Sequence, residues 1–196
     1  MTSRKRRSIE TLAVHAARPR NEGTGAVTPS IDLSTTYERD ADGAYSRGYN
    51  YQRDDNPNRA ALEAGIAALE GAQAAVAFSS GSAATIALFQ AASAHGRIVA
   101  TDAAYHGTLR QLRELMPRWG GAVEFVDTTS ITSVEEAMDD RVSLLFIETP
   151  SNPLLGISDI ERLAALAERH GANLACDNTF ATPVLQTPIA LGAGMV

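Results

Sequence analysis

Asp177 occupies a position that is suggestive of chemistry, because it directly follows the largely apolar residues 173–176. Such a run predicts a buried strand, and an ionised carboxylate at its end costs several kcal/mol unless a cation or hydrogen-bond donors meet it. A protonated pyridine nitrogen would be a suitable cation. The alternative is that Asp177 caps the turn made by Asn178 and Thr179.

Two other predicted strand ends carry polar groups of complementary kinds. Glu148 ends the apolar run 144–147, and the proline-containing loop after it presents the amide of Asn152. Tyr105 follows the run 98–101, where its ring could stack on a flat ligand and its phenol could move a proton. Taken singly, Tyr105 also fits a half-buried core residue, and the loop after Glu148 fits a simple turn.

A fourth turn has the composition of an anion-binding site. The segment Ser79-Ser80-Gly81-Ser82 joins an apolar run to a predicted helix, so backbone N–H groups and hydroxyls would face a ligand at the helix start. A plain serine cap is the alternative. The chain contains neither the three-glycine dinucleotide fingerprint nor a P-loop.

Asp102 and His106 have no third ligand nearby, so we predict no metal site. Pyridoxal phosphate (PLP) is a flat phosphorylated cofactor. It would suit the polar groups of the three strand ends and of the serine-glycine turn together.

The composition is that of an acidic globular protein. Of the 196 residues, 44% are hydrophobic and 20% are charged, and the net charge is −6 at pH 7, which argues against a general nucleic-acid surface. The single cysteine, Cys176, excludes an intrachain disulfide and suggests a small core residue. No apolar run reaches the roughly 20 residues that span a bilayer. We therefore expect a cytoplasmic protein without membrane or nucleic-acid partners.

Periodicity divides the chain into an arm and an α/β domain. Residues 1–56 lack strong periodicity, which predicts an extended arm lying on a neighbouring subunit. Asn56-Pro57 predicts the start of a helix whose apolar spacing covers 60–70. Alternation of apolar runs and amphipathic segments then predicts a mostly parallel sheet with helices on both faces. The predicted strands are 74–78, 98–101, 123–126, 144–147 and 174–176, and the predicted helices are 82–94, 108–116, 134–138 and 160–169.

Together these segments resemble the Cys/Met metabolism family of PLP-dependent enzymes, which includes cystathionine γ-synthases, cystathionine lyases and methionine γ-lyases. The resemblance runs through nearly the whole chain, from residues 11–16 and 29–37 through Tyr51-Gln52-Arg53-Asp54-Asp55-Asn56-Pro57 to the segment 177–188. It implies an incomplete large domain of the type I, aspartate aminotransferase-like fold over residues 57–196. The extended arm of residues 1–56 would precede this domain and contact a neighbouring subunit.

The resemblance also implies roles for individual residues. Tyr105 and Asp177 would be the catalytic members, and an arginine such as Arg53 is well suited to a phosphate because its guanidinium is forked. The implied set is Tyr51 and Arg53 of a neighbouring subunit with Gly81 and Ser82 at the phosphate, Tyr105 stacked on the ring, Asn152 donating to the ring hydroxyl, Asp177 at the ring nitrogen, and Glu148 supporting the site from behind.

The Schiff-base lysine of the family has no counterpart in the chain. The only lysine is Lys5, in the basic segment 4–7 that is expected to be a solvated tail. The resemblance implies that a Ser-x-Thr-Lys stretch begins just past Val196 and that a C-terminal domain follows. We therefore expect a fragment that is inactive alone, because the lysine would supply both covalent attachment and the main general base.

The sequence supports three functional hypotheses. The first is the cofactor-binding part of a transsulfuration-type enzyme, a homotetramer that eliminates or replaces a group at Cβ or Cγ of a sulfur- or oxygen-substituted amino acid. Gly107 stands where methionine γ-lyases tend to carry a cysteine, which favours a cystathionine γ-synthase or lyase. The second is a non-catalytic interaction module that pairs with full-length subunits through its arm. The third is an unproductive pseudogene product.

Overall fold

The computed structural model describes residues 8–19 and 21–196, so Lys5 and the rest of the basic tail lie outside the described residues. The chain forms two compact units, Met1–Ala77 and Phe78–Val196. The domain boundary that the sequence suggests, between residues 56 and 57, stays a prediction.

The described residues of the first unit form the helices α1 (Ile9–His15) and α2 (Pro57–Glu70). The sequence predicts α2 because the Asn56 side chain can cap it, and this side chain accepts a hydrogen bond from the Asn58 N–H. Gly71 ends α2 in the left-handed conformation with φ of 71°. Helix α1 lies within residues that were predicted to be an extended arm, and none of its residues is buried.

The second unit is built on a sheet of four parallel strands in the order β2-β1-β3-β4. These strands confirm four of the five predicted ones, and β2 agrees at both ends. A parallel sheet places the carboxyl ends of all its strands at one edge. The strands are β1 (Arg97–Thr101), β2 (Val123–Val126), β3 (Val142–Glu148) and β4 (Asn173–Asp177).

Helices connect the strands of the second unit. The predicted helix 108–116 divides into a short α-helix and a π-helical turn, and the helix predicted over 160–169 is confirmed at both ends. In the described part of the chain, no helix has the length and apolar character needed to cross a bilayer. The helices are α3 (Gly81–Ser93), α4 (His106–Arg110), the π-helical turn Gln111–Leu115, α5 (Ile131–Ala137), α6 (Ile160–Arg169) and α7 (Thr182–Leu185), with 3-10 turns at Pro117–Trp119 and Pro188–Leu191.

Two apolar clusters cover the two faces of the sheet, as predicted. Alternate strand residues point to opposite faces. On one face Val99, Leu145 and Cys176 pack with helices α5 and α6. On the other face lie Phe89 of α3 and Phe146 of β3, whose ring centroids are 5.0 Å apart in an edge-to-face contact. The sheet is therefore held between helical layers, and Cys176 is the small core residue that the sequence predicts.

The predicted strand at 74–78 is wrong. Residues 74–78 pair with no strand in the described part of the chain, and Val76 is 73% exposed. The Ala77 N–H donates instead to the Glu63 side chain at 2.9 Å. An apolar run forms a strand only when a neighbour completes its hydrogen-bond ladder, and no such neighbour is present here.

Candidate functional site

Glu148 organises the carboxyl end of the sheet. It ends β3 and is only 5% exposed. Its Oε2 accepts a hydrogen bond from the Tyr105 N–H at 2.9 Å, and its Oε1 accepts one from the Asn152 N–H at 2.8 Å. The strand register places Glu148 directly opposite Asp177 in β4. The Glu148 carboxylate thus holds the backbone of Tyr105 and Asn152, and the strand register places Asp177 next to Glu148.

Some neighbours of Glu148 raise the pKa of its carboxyl group and others lower it. Burial raises the pKa of the Glu148 carboxyl, and the hydrogen bonds from the backbone of Tyr105 and Asn152 act against that rise. The negative charge of Asp177 adds to the increase. The net effect is a pKa above the ordinary value of 4.5, so ionised Glu148 is held at a cost in folding stability.

We expect this cost to appear in the pH dependence of stability. The folded protein holds the Glu148 proton to higher pH than the unfolded chain does, so the contribution of Glu148 to the free energy of unfolding falls as pH rises above about 4.5. The variant E148Q cannot ionise at this position. Urea unfolding between about pH 4 and 7 should show the wild type losing stability relative to E148Q as the pH rises. Parallel stability curves for the two proteins would contradict this expectation.

Asp177 uses one of its two carboxylate oxygens locally. Oδ1 accepts from the Thr179 N–H at 3.0 Å and from the Thr179 hydroxyl at 2.5 Å. Within residues 8–19 and 21–196, Oδ2 accepts no hydrogen bond, and Asp177 is only partly buried. Asp177 therefore caps the following turn, and one of its oxygens is still available to a donor from a ligand.

The ring of Tyr105 lies over the start of α4. Its side chain is 44% exposed, and its centroid is 4.6 Å from that of the His106 ring in an edge-on contact. A Cβ built on Gly107 would lie 2.5 Å from Cε1 of Tyr105, so any side chain at position 107 would force the ring to move. The Tyr105 backbone N–H donates to Glu148, so the carboxyl end of β3 fixes the placement of Tyr105.

A partly buried amide network joins the loops that follow β3 and β4. The Gln186 Nε2 donates to the Thr149 carbonyl and to the Asn178 Oδ1, both at 2.8 Å. The Asn178 Nδ2 donates in return to the Gln186 carbonyl at 3.0 Å. The spacing of Thr149, Asn178 and Gln186 in the sequence does not predict these contacts. The network connects the backbone that follows β3 to the segment that follows Asp177.

The turn before α3 combines a serine cap with open space. The Ser80 side chain caps the helix by accepting from the Ala83 N–H at 3.1 Å, and Gly81 and Ser82 are its first two residues. The first N–H groups of a helix have no acceptor within the helix, which favours an anion there. A Cβ built on Gly81 meets no atom within 4 Å, so the space beside Gly81 could admit a ligand.

Asn152, Tyr51 and Arg53 complete the predicted set. The Asn152 side-chain amide makes no hydrogen bond within the described part of the chain. Tyr51 and Arg53 belong to the first unit, and the Arg53 guanidinium carbon lies 4.7 Å from the Tyr51 ring centroid. This contact pairs a cation with an aromatic face. A phosphate-binding role for Tyr51 and Arg53 stays a prediction.

The sequence profile and the relatives that match this chain point to the same protein family. The sequence profile of the Cys/Met metabolism PLP-dependent enzymes matches residues 10–196. The chain is 41% identical to the cystathionine gamma-lyase of Bacillus subtilis over 187 residues, which cover 95% of this chain and 49% of the relative. It is 42% identical to the cystathionine gamma-synthase of Mycobacterium tuberculosis, also over 187 residues, which cover 95% of this chain and 48% of the relative.

Solved structures agree in fold. The crystal structure of metB from Corynebacterium glutamicum matches with a TM-score of 0.91 and 41% identity, over 95% of this chain and 49% of that chain. The cystathionine gamma-lyase of Lactobacillus plantarum, complexed with L-serine, matches with a TM-score of 0.90 and 37% identity, over the same shares. The chain thus spans about half the length of the relatives it matches. By sequence and by fold, the chain belongs to the Cys/Met metabolism PLP-dependent enzyme family.

Proposed function

We propose that residues 78–196 form one wall of a PLP site in a transsulfuration-type enzyme. The observation that carries this proposal is the arrangement around Glu148 at the carboxyl ends of the strands: its carboxylate accepts from the N–H groups of Tyr105 and Asn152, and Asp177 is its register partner in β4. The substrate would be an amino acid with a sulfur or oxygen substituent at Cβ or Cγ. The names of the relatives, cystathionine gamma-lyase and cystathionine gamma-synthase, support this substrate class.

The donor and acceptor groups of the site fit this cofactor. Asp177 keeps Oδ2 for an N–H donor, and a carboxylate that meets a ring N–H favours the protonated ring. When bound, PLP withdraws electrons from the carbon atoms of the substrate. The role of Asp177 is to hold a proton on the ring nitrogen and so maintain that withdrawal.

Three further groups of the chain would orient the cofactor. The Tyr105 ring offers an exposed face for stacking, and its phenol would move a proton near the substrate. The Asn152 amide would donate to the ring hydroxyl, since it has no partner among the described side chains and backbone groups. The N–H groups of Gly81 and Ser82 would bind the phosphate.

The arm would complete the phosphate site of a second copy. We assign Tyr51 and Arg53 to the phosphate of a neighbouring subunit within a homotetramer in the cytoplasm. A guanidinium can bind two phosphate oxygens at once, which suits Arg53 to the role. The arm has little apolar core of its own, and its large side chains Ile31 and Leu33 are 83% and 84% exposed, which supports contact with another surface.

Covalent attachment of the cofactor needs an amine, and Lys5 is the only lysine in the 196 residues. We therefore propose that these residues bind the cofactor without catalysing the reaction, and that elimination or replacement needs a lysine from the part of the relatives that this chain does not match.

The proposed function is tested by binding of pyridoxine 5′-phosphate, which has no aldehyde and cannot react with Lys5. Isothermal titration calorimetry should show saturable binding of one ligand per chain, tighter than that of pyridoxine, because only the phosphorylated ligand engages the Gly81 turn. Equal or absent binding of the two compounds would reject the proposal.

A further inference from the structure

Gln111 is a buried polar residue that no part of the proposed site uses. It is 8% exposed, and its neighbour Leu112 is fully buried in the apolar cluster with Phe89. The two residues begin the π-helical turn, in which the Met116 N–H donates to the Gln111 carbonyl at 3.0 Å. A π-helical turn is wider than an α-helical one and often marks a functional position. Here two consecutive side chains are buried.

The Gln111 amide is bound on both sides by the first turn of α3. Its Nε2 donates to the Ser82 carbonyl at 2.8 Å, and its Oε1 accepts from the Thr85 hydroxyl at 2.8 Å. The Thr85 hydroxyl is also 3.2 Å from the Ser82 carbonyl, so the three groups close a small ring. Both polar atoms of a buried amide are thus satisfied by one helix start, which fixes that start with respect to Gln111.

The chain segment that contains Gln111 also carries Tyr105. Helix α4 begins directly after Tyr105 and leads into the π-helical turn. The Tyr105 backbone is held by Glu148 at the sheet edge. Gln111 therefore connects two places that a ligand would touch at once: the aromatic ring at Tyr105 and the N–H groups at the start of α3.

We propose that Gln111 is a positioning residue that sets the distance between the ring-stacking and phosphate-binding ends of the site. This inference rests on the proposed function. Gln111 does not touch the ligand. It binds the Ser82 carbonyl and so fixes the Ser82 backbone, which orients the free N–H groups of Gly81 and Ser82 before the phosphate arrives. Pre-organised donors bind more tightly because less order is lost on binding.

The test compares the affinities of pyridoxine 5′-phosphate and pyridoxine in each variant. The ratio of the two dissociation constants measures what the phosphate contributes. In Q111L both hydrogen bonds to α3 are lost, and we expect this ratio to fall about tenfold. In T85V one hydroxyl is lost, and we expect a fall of roughly threefold. The control Q90L changes an exposed glutamine on α3 and should keep the wild-type ratio.

A purely structural role for Gln111 gives a different result. It would lower the melting temperature of Q111L and weaken both ligands equally, so an unchanged ratio overturns the inference. If Q111L does not fold, the test is the ratio of the two dissociation constants in T85V compared with that in Q90L. An unchanged ratio in T85V likewise overturns the inference. If the wild-type protein itself binds the two ligands equally, the proposed function fails, and the role of Gln111 fails with it.

Discussion

The variant D177N is expected to weaken binding of pyridoxine 5′-phosphate by roughly 30- to 160-fold, because it replaces a charged partner of the ring N–H by a neutral amide. Truncating one side of a hydrogen-bonded charge pair in a binding site costs about 2–3 kcal/mol at the lower end of the observed range. Isothermal titration calorimetry at neutral pH measures the change. The asparagine oxygen can still accept from Thr179, so the turn after β4 should be retained.

Asp127 provides a matched control for Asp177. It follows β2 as Asp177 ends β4, and its Oδ1 accepts from the Thr129 N–H at 2.9 Å and the Thr129 hydroxyl at 2.6 Å. The local geometry is therefore the same at a different strand end. D127N should leave the affinity unchanged. Equal effects of D127N and D177N would show that Asp177 acts only as a turn residue, contrary to the proposed function.

The variant E148A should lose about 2–3 kcal/mol of unfolding free energy at neutral pH. Removal of the Glu148 carboxylate leaves the N–H groups of Tyr105 and Asn152 without their acceptor. Hydrogen bonds to a charged group are among the stronger ones. Relief of the burial cost of the carboxylate offsets part of the loss. Urea unfolding followed by circular dichroism measures the difference, with the exposed Glu136 changed to alanine as control.

Binding should also suffer in E148A, because Tyr105 and Asn152 lose the acceptor that fixes their backbone. We expect the affinity for pyridoxine 5′-phosphate to fall in E148A and to stay at the wild-type value in E136A. An E148A protein within about 0.5 kcal/mol of the wild type would contradict the organising role of Glu148.

The strands and helices of the second unit follow closely from the sequence where local signals are complete. Residues 123–126 and 160–169 match at both ends, and Asp159 caps α6 by accepting from the Arg162 N–H at 3.1 Å. The wrong strand at 74–78 had the right local composition, but strand formation depends on a partner that local composition does not show. Helix α1 was not predicted because it is only seven residues long, and the apolar residues Ile9 and Leu12 make up a single helical repeat.

The sequence suggests candidate site residues, but it does not specify their contacts. The position of Glu148 at a strand end was visible, whereas its hydrogen bond to Tyr105 joins residues 43 positions apart. Gln111 gave no signal, because the spacing of Leu112 and Met116 fits an ordinary α-helix and conceals the wider turn. Long-range pairing of polar groups depends on the assembled sheet, and a pattern of residue types does not specify it.

The central claim is that Asp177 holds a proton on the ring nitrogen of the bound cofactor. The most direct measurement is the nitrogen-15 chemical shift of ring-labelled pyridoxine 5′-phosphate bound to the protein, followed with pH. We predict that the bound nitrogen stays protonated to higher pH than in the free ligand, and that D177N removes this difference while D127N keeps it. A ring nitrogen that titrates in the wild-type complex as it does in water would contradict the claim.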